Sequence, residues 1–208
     1  MLSKTTNAVI GASLLVPSPA HDLYDVILDV RNFPTWAPGV RRVEVLEGYG
    51  KPGMVSEWEI CFLGLKSKFL SVLEEAESPA LLRWTYDGLV GGWGQCVIRE
   101  HGESALAVFQ TELRTAEPHL KKLLRMWPAR EAASAHLKRC LAQLGRMISG
   151  DGSQVRVGSA EAIGQSLIPS QQPRCFAYAS ESSGNPLNLL TVGGKVGHPS
   201  GSRSTLVE

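Results

Sequence analysis

Histidine, cysteine and serine are the side chains that most often carry metal or nucleophilic chemistry, and in this chain none of them stands at a spacing that builds a site. The five histidines, His21, His101, His119, His136 and His198, form no HxH or HxxxH pair, so a metal centre would have to be assembled from remote positions. The four cysteines, Cys61, Cys96, Cys140 and Cys175, form no CxxC pair, which argues against a zinc ribbon or a thioredoxin-type redox site and favours a reduced, cytoplasmic setting. There is no Gly-x-Ser-x-Gly elbow, and no cysteine has a histidine beside it in sequence to activate its thiol. Gly91-Gly92-Trp93-Gly94 lies between strand-like runs and does not open a helix, so it cannot present backbone amides to a phosphate. No metal or cofactor is expected. The polar groups that remain are those on apolar strands: Ser56, Tyr86 and Gln95 by parity, and Arg83 if the register shifts by one.

Bulk charge selects no partner. Lys plus Arg is 21 against 20 for Asp plus Glu, a net charge of +1, and the basic residues are not interleaved with exposed aromatics as a nucleic-acid surface requires. The most apolar run, Ala8 to Val16, is too short to span a membrane. With Lys4 before it and Pro17-Ser18-Pro19-Ala20 after it, it has the layout of a short signal peptide, but its β-branched content reads better as a first strand.

The elements that must position those polar groups follow from periodicity. Thr6 to Val16 is a strand closed at Pro17-Ser18-Pro19; Ser18 suits an N-cap and Pro19 a first helical position, and Leu23, Tyr24, Ile27 and Leu28 give a short amphipathic helix to about Val30. Asn32 to Gly39 brackets Trp36 between Pro34 and Pro38 and holds at most one helical turn. Six strand-like runs follow: Val40–Gly48, Met54–Leu63, Lys66–Ala76, Leu81–Gly88, Gly92–Glu100 and Leu106–Thr115. Short Gly- and Pro-bearing turns separate them, the pattern of an antiparallel meander. Met54, Ser56, Trp58, Ile60 and Phe62 share one face, with Glu57 and Glu59 on the other. From Pro118 to Ile148 the spacing changes to three and four, predicting a long helix broken or kinked near Trp127 by Pro128. Its polar face carries Lys121, Lys122, Arg125, Arg130, Lys138, Arg139 and Arg146: a solvated face, or a contact for anionic lipid or an acidic partner. All five tryptophans precede Ser149, and Gly150 to Glu208 is rich in Ser, Gly, Gln and Pro, so the expectation is one domain over residues 1–149 and a disordered tail over 150–208.

The order strand, helix, proline-rich turn, six strands, long helix resembles the START-like, helix-grip superfamily, also called SRPBCC or polyketide cyclase/dehydrase and lipid transport. The resemblance rests on Val16-Pro17-Ser18-Pro19-Ala20 with the helix after it, on Asn32-Phe33-Pro34-Thr35-Trp36-Ala37-Pro38-Gly39-Val40, on Glu77-Ser78-Pro79-Ala80-Leu81-Leu82-Arg83-Trp84, and on Gly92-Trp93; it spans about residues 6–148. It implies an α+β fold in which a curved antiparallel sheet of about seven strands grips the long C-terminal helix, with two short helices after the first strand. It also implies a cavity between sheet and helix. The lining expected by parity is Met54, Trp58 and Phe62, then Trp84 and Tyr86, then Trp93 and Gln95, with Leu124 and Trp127 from the helix; burial in an ordinary core explains each tryptophan equally well. Trp36, on its proline-bounded turn, is expected at the cavity mouth. The superfamily hosts unrelated functions on one scaffold, and two readings stay open. In the first, the protein binds an apolar small molecule such as a lipid, an isoprenoid quinone as in the coenzyme Q-binding branch, or a polyketide-like compound. In the second, it is a cyclase or dehydratase in which Tyr86, Arg83 and Ser56 polarise a substrate carbonyl.

Overall fold

The computed structural model of the chain describes residues 6–62, 64–150 and 154–159. Eight strands form one antiparallel sheet. β1 (Thr6–Val16) is followed by α1 (Ala20–Leu28), a 3-10 turn (Val30–Asn32) and α2 (Phe33–Trp36). The meander β2 (Val40–Glu47), β3 (Val55–Phe62), β4 (Leu65–Glu77), β5 (Leu81–Gly88), β6 (Gly91–His101) and β7 (Ser104–Thr115) comes next, then α3 (Pro118–Arg125), α4 (Trp127–Ser149) and β8 (Arg156–Ser159). The strand order is β2-β3-β4-β5-β6-β7-β1-β8, so the first strand returns to lie beside the last strand of the meander. The chain is α+β, with the expected sheet-and-helix architecture.

β1 has the alternation of a half-buried strand. Ala8, Ala12, Leu14 and Val16 are buried while Val9 is exposed, and the strand pairs with β7 from Thr6↔Thr115 to Val16↔Ala105. Small residues on its inner face and on β7, Ala12, Ala105 and Ala107, leave room for α4, whose Leu141 and Leu144 are completely buried in the same cluster. Register shifts between Val40 and Arg42, between Val45 and Glu47, and between Leu73 and Glu75 are bulges that increase the local twist and curve the sheet around its contents.

α1 starts one residue later than the sequence suggests. Pro19 is its N-cap, and the Ser18 hydroxyl does not cap it; the Ala20 amide donates instead to Oε1 of Glu100 on β6, 2.9 Å away. A carboxylate from a distant strand therefore satisfies the helix start and meets the positive end of its dipole. The C-terminal helical region divides as Pro128 predicts: Met126 is extended at φ −78°, ψ 127°, and Pro128 sits in the first turn of α4, where its missing N–H costs nothing.

The tail reading is corrected at its beginning. Residues 156–159 add an eighth strand to the sheet edge, antiparallel to β1 from Leu15↔Arg156 to Ala12↔Ser159, and Val155 and Val157 pack against the core. Edge pairing with β1 stabilises this segment, so its Ser- and Gly-rich surroundings are no guide to it. Residues 160–208 lie outside the described residues.

Candidate functional site

The concave face of the sheet and the segment from α1 to α2 line a partly open cavity of about 160 Å³. Alternate residues of three neighbouring strands make its floor: Met54, Ser56 and Trp58 on and just before β3, Phe69, Ser71 and Leu73 on β4, Leu82, Trp84 and Tyr86 on β5. Ile27 and Leu28 of α1, Val30 of the 3-10 turn and Phe33 of α2 make the roof. None of these side chains is charged.

Aromatic rings run from the roof across the floor as a connected belt. Phe33 meets Trp58 edge to face at 4.9 Å, Trp58 stacks on its register partner Phe69 at 5.8 Å, and Phe69 tilts against Tyr86 at 5.6 Å. Such offset and edge-to-face pairs fix ring orientation as well as burying area, so the belt is a shaped surface.

The polar groups of the floor are mostly committed to one another. The Trp58 indole N–H donates to Ser56 Oγ at 2.9 Å, and Ser71 Oγ donates to the Thr85 carbonyl at 3.0 Å. The Tyr86 hydroxyl donates to the Glu112 carbonyl and lies 2.9 Å from Thr111 Oγ1, whose own proton is taken by the Trp93 carbonyl at 3.0 Å. Burial pushes the Tyr86 phenol up to about 12, so it is neutral at any physiological pH.

Of the lining residues expected from sequence, Met54, Trp58, Trp84 and Tyr86 are in the cavity wall, with Ser56 beside them. Five other candidates are placed differently. On β6 the inward positions are Gly92, Gly94, Cys96 and Ile98, so Trp93 and Gln95 point to the opposite face, where the Gln95 amide donates to Gln110 Oε1 at 2.8 Å. Arg83 shares that outer face and is paired with Glu75; no register shift turns it inward. Trp36 is not at a cavity mouth: it is 3% exposed, its ring centroid lies 4.2 Å from that of Phe33, and its N–H is buried without an acceptor among the described residues. Leu124, half-buried on α3, does not line this cavity. The side chains of Phe62 and Trp127 lie outside the described residues.

The cavity expected between the sheet and the C-terminal helix is roofed instead by α1, the 3-10 turn and α2, and sequence reasoning missed both that roof and the middle of the floor. Phe69, Ser71 and Leu73 alternate in direction with Lys68, Leu70 and Val72, but apolar residues stand on both faces and a serine on the inner one, so no hydrophobic period of two marks the cavity side. Ile27, Leu28, Val30 and Phe33 carried no signal either, because their place over β3 to β5 is a long-range packing result.

Two of the three described cysteines are buried. The Cys96 and Cys140 thiols are pushed up by burial, Cys140 to about 11, so neither is a ready thiolate. No group of three or more His, Cys, Asp or Glu among the described residues is arranged to hold a metal ion, and no helix there is long and apolar enough to cross a membrane.

Comparison with known proteins agrees with this architecture. The fold matches TTHA0849 from Thermus thermophilus with a TM-score of 0.61 at 19% identity, over 70% of this chain and 100% of that one. A START superfamily protein from Mycobacterium smegmatis matches with a TM-score of 0.56 at 15% identity, over 67% of this chain and 98% of that one. The Zhui aromatase/cyclase from Streptomyces sp. R1128 matches with a TM-score of 0.54 at 18% identity, over 71% and 94%. A search of curated protein sequences found no match. At these identities the structural likeness speaks to the fold alone. Residues 16–132, more than half of the chain, match the family model described as polyketide cyclase / dehydrase and lipid transport, and the chain belongs to that family.

Proposed function

We propose that this protein binds a compact, neutral, mostly apolar molecule of one or two rings in the cavity between its sheet and the α1–α2 segment, without transforming it. The observation that carries this reading is a 160 Å³ space walled by an aromatic belt, with the protons of Tyr86 and Ser71 already donated to backbone carbonyls. A cavity of about 150 Å³ holds a benzene-sized guest, whereas drug-sized ligands occupy about 300–1,000 Å³. Size therefore favours a ring compound over a lipid or an isoprenoid quinone, most of whose chain would have to extend out through the opening or displace part of the wall. The absence of any charged group from the wall favours a neutral guest.

The enzymatic reading has less support. A cyclase needs groups aimed at a developing charge, and of Tyr86, Arg83 and Ser56 the arginine faces away while the tyrosine has its proton engaged.

The test is uptake. Native mass spectrometry of gently purified protein should retain an apolar species. Naphthalene should quench tryptophan fluorescence saturably, through Trp58 and Trp84, and oleate should not. If neither the mass spectrum nor the naphthalene titration shows a guest, the binding reading is wrong; if oleate binds and naphthalene does not, the size argument is wrong.

A further inference from the structure

Resting on that binding reading, we infer that the guest carries a hydrogen-bond acceptor, a carbonyl or ether oxygen, and that the Ser56 hydroxyl is the group that selects for it. Ser56 is 2% exposed and lines the cavity. Its oxygen accepts the Trp58 N–H at 2.9 Å, but nothing among the described residues accepts its own proton. Its cross-strand register partner Ser71 donates to the Thr85 carbonyl, and Tyr86 donates to the Glu112 carbonyl. The cavity thus presents two hydroxyl groups that can only accept and one, Ser56, that still has a proton to give. A buried donor left without an acceptor is unfavourable, so the site discriminates in favour of a guest that supplies one. The indole N–H donated to Ser56 Oγ polarises the hydroxyl and strengthens it as a donor. With no Lys, Arg or His in the wall, the acceptor is a neutral oxygen and not a carboxylate. Trp84 is the other wall residue with an N–H, and its Nε1 edge rests over Gly94 on the β6 side, away from Ser56 on β3.

The experiment compares indane with 1-indanone, which differ by one carbonyl oxygen, using dissociation constants from calorimetry for the full chain. The ratio of the two constants is followed across variants, which cancels their different hydration. Ser56→Ala alone also frees the Trp58 N–H, so the decisive pair is Trp58→Phe against Trp58→Phe/Ser56→Ala. Trp58→Phe removes the indole's polarisation and should lower the preference for 1-indanone only in part, while adding Ser56→Ala to it should shift the ratio roughly a further fivefold toward indane, the effect of one neutral hydrogen bond. Circular dichroism and thermal melts establish that each variant is folded. If both compounds bind and the ratio is the same in every variant, or if Trp84→Phe moves it and Ser56→Ala does not, the assignment to Ser56 is overturned while binding stands. If neither compound binds the wild-type protein, it is the binding reading that fails.

Discussion

Gly94 on β6 and Trp84 on β5 are register partners, and the indole occupies the space in which a side chain at position 94 would stand. A Cβ built on Gly94 would lie 2.4 Å from both Cε2 and Nε1 of the ring. The glycine lets the tryptophan lie across the neighbouring strand instead of standing up into the cavity. Two residues earlier, Gly92 does the same for the other end of the floor. At φ +154° its missing Cβ would fall 1.9 Å from the Glu112 carbonyl oxygen, the acceptor of the Tyr86 proton. Two positions of β6 without side chains thus leave space for the Trp84 ring and the Tyr86 hydroxyl as they stand.

Gly94→Ala should consequently close the site from within. The methyl group pushes the Trp84 ring toward the roof, and overpacking of this kind costs about 1–3 kcal/mol. The expected outcome is a folded protein with a lowered melting temperature and no saturable naphthalene binding. Unchanged melting and unchanged binding together would mean that the ring does not depend on the glycine.

Tyr86→Phe should lower stability by about 1–2 kcal/mol, because it removes a buried hydroxyl and leaves the Glu112 carbonyl short of a partner. The phenol also sets an alkaline limit. Its value in the folded state, about 12, is above the ordinary 10.0, so the unfolded chain releases this proton first. The stability it contributes is complete below pH 10 and is lost as the pH rises toward 12. Urea midpoints measured from about pH 8 to about 11.5 should fall more steeply for the wild type than for Tyr86→Phe; parallel curves would contradict the assignment.

The strands were legible wherever alternation was regular and failed where glycine interrupted it. On β3, Met54, Ser56 and Trp58 alternate with Glu57 and Glu59; the glutamates pair with Lys68 on the outer face at 3.3 and 2.6 Å, and the inward set is the cavity floor. On β6 side-chain size points to Trp93 and Gln95 as wall residues, yet the glycines face inward. A parity argument weighted by side-chain size inverts when the functional requirement is empty space. Trp36 misled for a related reason: its flanking prolines mark a turn, but α2 packs that turn into the core, a decision made by long-range contacts. The break at Met126 was visible because Pro128 acts locally.

Arg31 ties the cavity roof to the hairpin beneath it. Its guanidinium sits 4.1 Å over the Tyr49 ring and donates to the Tyr49 hydroxyl at 2.6 Å, while Asp29 Oδ1 holds its Nε at 2.8 Å. Hydrogen bonding to Arg31 keeps the Asp29 carboxyl below its usual range. Val30, next in the chain, lines the cavity, so releasing this clasp should loosen the roof more than it changes the bound state. Arg31→Ala and Tyr49→Ala are expected to raise both association and dissociation rates of naphthalene about fivefold in stopped-flow fluorescence, with little change in their ratio. A loss of affinity at unchanged association rate would show that the pair shapes the site and does not gate it.

β8 is the element whose importance composition concealed, and its contribution can be isolated by comparing chains cut after Ser149 and after Ser159, which differ only in residues 150–159. Val155 and Val157 pack against the core, and four register pairs join the strand to β1. Gly145 on α4 marks the contact from the other side, since a Cβ there would come within 2.4 Å of Val155 and 3.1 Å of Leu14. Burying part of two valines and adding an edge ladder stabilises the fold by about 2–4 kcal/mol in total. The shorter chain should therefore unfold at a clearly lower urea concentration. Gly145→Val in the longer chain should reproduce much of that loss by wedging Val155 away from the helix. Equal midpoints for the two truncations would return the segment to the status its composition suggested, a tail that contributes nothing to the core.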